Sequence, residues 1–281
     1  MDQQENLMFE NLLYLEDKFL FKRVSLFEKF INKELEKHKN SSFYESLIYA
    51  LRGGKRLRPI ILFLTAETLG IPKEDYYPAA FAIELIHTVS LIHDDMLDRE
   101  IYRRGSKAYY LVYGEEQAIL VADYTLSLVL ELTSRYKNKN VALILADTVK
   151  AMSEGQLLEV KLRNENEIKW EEYFKIIQNK TASLFEASSR IGATLATENE
   201  FYIETASFFG RYLGLAYQIY DDLRDWDKKE YVQKLKIENK KDFLNEKLSM
   251  YLDLSKRALN KLPQNNIRNI LEGFIDLVIK T

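Results

Sequence analysis

The chain of 281 residues carries 40 Lys+Arg against 43 Asp+Glu, a formal charge of -3, so no basic excess marks it for nucleic acid. Its 47% hydrophobic content is enough for a substantial core, and with no cysteine it has no disulfide, thiolate nucleophile or cysteine-ligated zinc or iron-sulfur centre. The first residues, Met1-Asp2-Gln3-Gln4-Glu5-Asn6, lack the basic start and apolar middle of a signal peptide, and the longest apolar runs are too short to span a bilayer; a cytoplasmic protein is the expectation.

Only 4 Pro and 10 Gly occur and no low-complexity linker interrupts the patterning, which predicts an all-α fold forming a single domain over residues 1–281. Apolar residues at helical spacing through Leu12, Leu15, Phe19 and Leu20, then Phe27, Phe30, Ile31 and Leu35, predict one or two amphipathic helices over about 5–37. A short helix over 43–51 stops at Arg52-Gly53-Gly54-Lys55-Arg56-Leu57-Arg58-Pro59, where the glycines end one helix and Pro59 suits the first turn of the next. That next helix, about 59–69, is apolar nearly all round, as a central bundle helix is. Residues 75–98 read as a long buried helix, followed by a basic loop from Arg99 to Lys107. Helices are then predicted over 115–136, 140–159, 170–196, 199–226, 238–259 and 265–280. No strand-turn-strand series and no glycine-rich nucleotide fingerprint is found.

Two of these helices end in the same acidic pattern, Asp94-Asp95-Met96-Leu97-Asp98 and Asp221-Asp222-Leu223-Arg224-Asp225. Residues i and i+4 lie about 5.4 Å apart on one helix face. Asp94 with Asp98, and Asp221 with Asp225, therefore each present a carboxylate pair, with Asp95 and Asp222 beside them. Such charge at the end of an apolar run is unfavourable without compensating cations, and a helix C-terminus adds the negative end of the backbone dipole. Oxygen-only donors select a hard ion, Mg2+, which completes its shell with water and substrate phosphates. The implied ligand is a phosphorylated compound.

Cations suited to phosphate stand nearby in sequence. Lys55, Arg56 and Arg58 follow a glycine pair, and Arg103-Arg104-Gly105 follows the first acid cluster. Lys180, next to Thr181, and Gln218, four residues before Asp222, interrupt apolar helix faces; each either meets a ligand or satisfies an internal hydrogen bond. His93 abuts Asp94 but reads as a packing or hydrogen-bonding residue, and His38 lies in a polar, lysine-rich segment with no chemical role. No histidine, serine and acid set supports hydrolysis by a protein nucleophile.

The blocks GGKRLRP at 53–59, ELIHTVSLIHDDMLD at 84–98, RRG at 103–105, KTASLF at 180–185 and YQIYDDLRD at 217–225 occur in an order that closely resembles the trans-isoprenyl diphosphate synthases, the head-to-tail polyprenyl synthases. The resemblance implies the isoprenoid synthase fold, a helical bundle around a deep apolar central cavity, normally a homodimer. It implies Mg2+, three ions with substrate bound, held by Asp94, Asp95, Asp98, Asp221, Asp222 and Asp225 across the cavity mouth. The substrates would be isopentenyl diphosphate, held by Lys55, Arg58, His87 and Arg104, and an allylic diphosphate, supported by Arg103, Lys180 and Gln218, with Thr181 close to the reacting carbons. The apolar product would be handed to membrane enzymes.

The family's chain-length floor falls five positions before the first aspartate, at Val89, with Ser90 beside it. Short-product members commonly place an aromatic there, so valine implies geranylgeranyl diphosphate or longer, with Tyr124 or Leu128 as deeper closures. One segment departs from the family. Asp227-Lys228-Lys229-Glu230-Tyr231-Val232-Gln233-Lys234-Leu235-Lys236 is shorter than usual and has no glycine, and Lys228, Lys234 or Lys236 stands for the usual lysine. A class I terpene cyclase, or a non-catalytic or regulatory subunit of a heteromeric synthase, is the alternative.

Overall fold

Apolar residues at three- and four-residue spacing make the chain helical nearly throughout, and the computed structural model, which describes residues 18–72, 75–228 and 230–280, is all-α apart from one minimal hairpin among those residues. Its helices are α1 (Lys18–Glu36), α2 (Tyr44–Leu51), α3 (Leu57–Leu69), α4 (Tyr77–Asp98), α5 (Tyr109–Tyr113), α6 (Glu115–Ser134) and α7 (Asn140–Leu162). There follow α8 (Trp170–Ile177), α9 (Ser183–Ala196), α10 (Glu200–Arg224), α11 (Glu230–Gln233), α12 (Lys240–Leu259) and α13 (Asn266–Lys280). The early part of the first predicted helix, with Leu12 and Leu15, lies outside the described residues.

The described residues fall into two compact units. One gathers those up to Ile60 with Tyr77–Lys137, the other Ile61–Tyr76 with Asn138–Lys280, and the division lies inside α3. In the first unit α4 packs against α1, α2, α5 and α6, burying Phe27, Ile31, Leu35, Leu47, Phe81 and Ile83. In the second, α10 packs on α9, α12 and α13, and the buried cluster Tyr173, Ile177, Leu215, Ile219, Val232, Leu235 and Leu244 surrounds its C-terminal end. Among the described residues no helix is long and apolar enough to cross a membrane.

Two expectations are corrected. The basic loop after α4 is a two-residue antiparallel hairpin, β1 (Tyr102–Arg103) with β2 (Ser106–Lys107), too short to carry an alternating pattern in the sequence. The helix predicted over 170–196 is broken by a π-helical turn, Gln178–Ala182, between α8 and α9. After α10, Trp226–Lys228 makes a 3-10 turn and α11 follows.

Candidate active site

In the first unit, α4 ends at Asp98 because Arg99 turns into the left-handed region (φ 55°), letting the Glu100 amide donate to the Asp95 carbonyl at 3.0 Å. This places Asp94 half-buried, Asp98 exposed and Asp95 buried in the last turn. Asp95 accepts from Arg103, whose Nε lies 2.8 Å from Oδ1 and whose Nη2 bonds the same oxygen. Burial pushes the Asp95 carboxyl up, against the pull of Arg103.

The Gly53-Gly54 turn places the remaining cations. Arg104 donates to the Arg52 and Gly53 carbonyls at 3.3 and 3.2 Å. Gly54 has φ +92°, a conformation that favours glycine, and the guanidinium of Arg104 lies against it, 2.7 Å from where a Cβ would stand. Lys55 is half-buried. Arg58 reaches the His87 ring, with Nη1 3.1 Å from Nε2. Burial first, then the positive charges of Arg58, Arg104, Arg56 and Arg103, hold His87 well below the usual histidine range. The imidazole is therefore neutral, and since a guanidinium only donates, Nε2 accepts and Nδ1 carries the proton. The hairpin, α2 and α4 line an open pocket of about 110 Å3, edged by Arg52, Thr88, Asp95, Arg103 and Arg104.

Arg56 stands apart from its basic neighbours. Its buried guanidinium donates to Glu28 at 2.7 Å, Glu84 at 2.6 Å and the Leu51 carbonyl at 2.8 Å. Burial pushes the Glu84 carboxyl up, yet Arg56, Arg104 and Arg58 outweigh it and keep Glu84 ionised. Arg56 is thus an internal tie between α1, the end of α2 and α4. Glu84 was overlooked in the sequence, although a lone acid in the run Ala79 to Ile86 marks a buried partner.

In the second unit the π turn carries Lys180 and Thr181. Two glycines bring neighbouring helices onto it: a Cβ at Gly155 of α7 would lie 2.8 Å from the Lys180 amide nitrogen, and one at Gly214 of α10 would lie 2.6 Å from Ala182 Cα. Lys180 Nζ is 2.5 Å from Glu159 Oε2 on α7. Thr181 donates to Gln218 Oε1 at 2.7 Å, and Gln218 Nε2 donates to Asp222 Oδ1 at 3.0 Å. Both polar interruptions of the helix faces thus make internal bonds.

Asp222 is fully buried and also accepts from Tyr173 (2.8 Å) and Tyr231 (3.0 and 2.9 Å to its two oxygens). Burial, then the Asp222 charge, pushes both phenols well above the usual tyrosine range, so both remain protonated donors. Asp221 and Asp225 are more open, and Arg224 spans them, with Nη2 2.6 Å from Asp221 Oδ1 and 3.5 Å from Asp225 Oδ2. Tyr173, Tyr231 and Glu159 were missed in the sequence because their roles depend on elements distant along the chain.

Tyr231 comes from the segment that departs from the family pattern. That segment is pinned, because Ile168 and Leu235 form a parallel bridge in which the Ile168 amide donates to Lys234 O (2.9 Å) and the Lys236 amide to Ile168 O (2.8 Å). Lys234 Nζ donates to the Arg163 carbonyl and Lys236 pairs with Glu167, so both ammonium groups are directed to the 163–168 stretch.

The chain-length candidates separate. Val89 and Ser90 are half-buried on α4, with Ser90 Oγ donating to the His87 carbonyl. Tyr124 stacks on Phe43 and its hydroxyl lies 3.1 Å from His38 Nδ1, while Leu128 packs near Leu35 and Phe81. His38 therefore has a structural partner in Tyr124.

Among the described residues no three carboxylate or imidazole groups form a ready-made metal cage. Mg2+ is ordinarily held by one or two carboxylates with substrate phosphates and water completing the shell, so the pairs Asp94/Asp98 and Asp221/Asp225 fit it by donor chemistry.

A family model described as polyprenyl synthetase matches residues 40–273. The chain belongs to the polyprenyl synthetase family. It is 37% identical over 185 residues to a geranylgeranyl diphosphate synthase of Methanosarcina mazei, covering 64% of this chain and 57% of that protein. It is 37% identical over 224 residues to a short chain isoprenyl diphosphate synthase of Methanocaldococcus jannaschii, covering 74% and 67% respectively. The alignments thus span between 57% and 67% of these curated relatives' lengths. The solved geranylgeranyl pyrophosphate synthetase of Geoglobus acetivorans superposes with a TM-score of 0.80 at 26% identity, covering 92% of this chain and 99% of that one.

Proposed function

We propose that the chain is a Mg2+-dependent trans-prenyltransferase that joins isopentenyl diphosphate head-to-tail to an allylic diphosphate, releasing diphosphate. The observation that carries this reading is the pairing, in one family member, of two helix-terminal acid clusters with a separate set of cations around His87. Two diphosphates need two sets of positive partners; a cyclase, with a single diphosphate substrate, does not need the second. The matched span runs through both compact units, which supports one functional domain over 1–281.

Lys55, Arg58 and Arg104 would hold the isopentenyl diphosphate, with the Nδ1 proton of neutral His87 as a further donor. Arg103 and Lys180, oriented by Asp95 and Glu159, would support the allylic diphosphate. Gln218 is turned by Thr181 and Asp222. Asp94, Asp98, Asp221 and Asp225 would hold the Mg2+, which supplies charge stabilisation for the departing diphosphate. The cations stabilise the same developing charge, so the allylic carbon-oxygen bond ionises, the isopentenyl double bond attacks the allylic cation, and the resulting cation gives a proton to the released diphosphate. No protein nucleophile is required.

Val89 would set the floor of the chain-elongation space and leave room for a geranylgeranyl or longer product. A cytoplasmic homodimer that passes its apolar product to membrane enzymes completes the proposal. Incubation of the purified chain with Mg2+, labelled isopentenyl diphosphate and a short allylic starter tests it. Prenyl products are expected, Asp94→Ala or Asp221→Ala lowers turnover by orders of magnitude with helicity retained, and Val89→Phe shortens the main product. A folded protein that incorporates no label overturns the assignment.

A further inference from the structure

The three carboxylates of the second acid cluster are satisfied in two different ways. Asp222 accepts from two phenols and an amide, all neutral donors. Asp221 and Asp225 are instead bridged by the guanidinium of Arg224, which lies inside the cluster itself at the last turn of α10. In the first cluster the arginine, Arg103, sits on the inner carboxylate of Asp95.

We propose that Arg224 is a tethered countercharge that occupies the metal-facing oxygens of the second cluster and yields them when a diphosphate arrives. The inference rests on the metal-diphosphate reading above and adds a named regulator of it. A guanidinium hydrogen-bonded to Asp221 Oδ1 at 2.6 Å competes with a divalent ion for that oxygen. A unit positive charge roughly 5 Å from a divalent ion lowers the ion's affinity by roughly fifteenfold in bulk water, and by roughly fivefold once physiological salt screens the pair. The pair is also easily exchanged, since Arg224 is 34% exposed and solvent-exposed ion pairs hold weakly.

Diphosphate matches the guanidinium fork better than a single carboxylate oxygen does, because it offers several anionic oxygens for bidentate donation. Its arrival therefore draws Arg224 away and bares Asp221 at the moment when metal is needed. Metal loading becomes coupled to substrate loading, and by linkage metal raises diphosphate affinity by the same factor.

The test measures two affinities of the full chain by calorimetry: Mn2+ alone, standing in for Mg2+, and inorganic diphosphate alone with metal chelated. Arg224→Gln is expected to bind Mn2+ roughly five- to fifteenfold tighter and diphosphate several-fold weaker. Arg224→Lys keeps the charge but not the fork, so its Mn2+ affinity is expected to stay near the parent while its diphosphate affinity falls. A general structural defect would not move the two affinities in opposite directions, and circular dichroism with a thermal melt verifies folding. Unchanged or weaker Mn2+ binding in Arg224→Gln overturns the assignment, as does an Arg224→Lys variant that binds Mn2+ as tightly as the glutamine variant. Asp94→Asn and Asp221→Asn separate the two levels. If they abolish Mn2+ binding while Arg224→Gln changes nothing, only the countercharge role falls; if they leave Mn2+ binding intact, the metal reading falls with it.

Discussion

His87 illustrates how one contact can set the chemistry of a side chain. Arg58 donates to Nε2, burial and four arginines disfavour the imidazolium, and the ring is left neutral with its proton on Nδ1. The pH consequence has a definite sign. Between the depressed folded pKa and the ordinary value near about 6.5, the unfolded chain binds a proton that the folded chain refuses, so stability falls as pH drops through that window. His87→Gln, which can still accept from Arg58, is expected to show a smaller loss of melting temperature between about pH 7 and about pH 5 than the parent. Identical pH dependence in the two proteins would assign the acid sensitivity elsewhere. Arg56 shows the opposite outcome: flanked by proposed ligand-binding residues in sequence, it is used up by Glu28 and Glu84.

The π turn Gln178–Ala182 is the element that places Lys180 and Thr181, and its shape depends on what lies beside it. Gly155 has nothing in place of a side chain where a Cβ would lie 2.8 Å from the Lys180 amide nitrogen, a backbone neighbour that cannot rotate away. Gly155→Ala is therefore expected to cost about 1–3 kcal/mol, read by denaturant melts, and to lower turnover because it displaces Lys180 from Glu159. An alanine variant as stable and active as the parent would show that the turn is less constrained than its packing implies. Nothing in the sequence KIIQNKTASLF marks a π turn, because its apolar spacing is that of an ordinary helix. The segment after α10 was legible only as a departure; its pinning by Ile168 and the reach of Tyr231 to Asp222 are long-range pairings.

At the scale of the whole molecule the proposed homodimer has a physical correlate in α6. Ile119, Leu120, Leu126 and Leu130 are each about half exposed or more, and Ile119, Leu126 and Leu130 recur on one helical face. A run of exposed large apolar side chains is the usual mark of an association surface. Leu126→Lys together with Leu130→Lys is expected to halve the mass found by light scattering while leaving helicity intact. A parent chain that is already monomeric at micromolar concentration would remove the dimer from the proposal.

The sequence by itself determined the all-helical class, most helix positions, both acid clusters and the family, since local periodicity and contiguous motifs carry that information. Only the tertiary structure decided which charges are used internally: Arg56 on Glu84, Arg103 on Asp95, Lys180 on Glu159, and Asp222 closed by Tyr173 and Tyr231. Whether a charged side chain meets a ligand or a neighbour depends on which distant segment folds against it, and residue spacing can mark a buried charge, as at Glu84, without naming its partner.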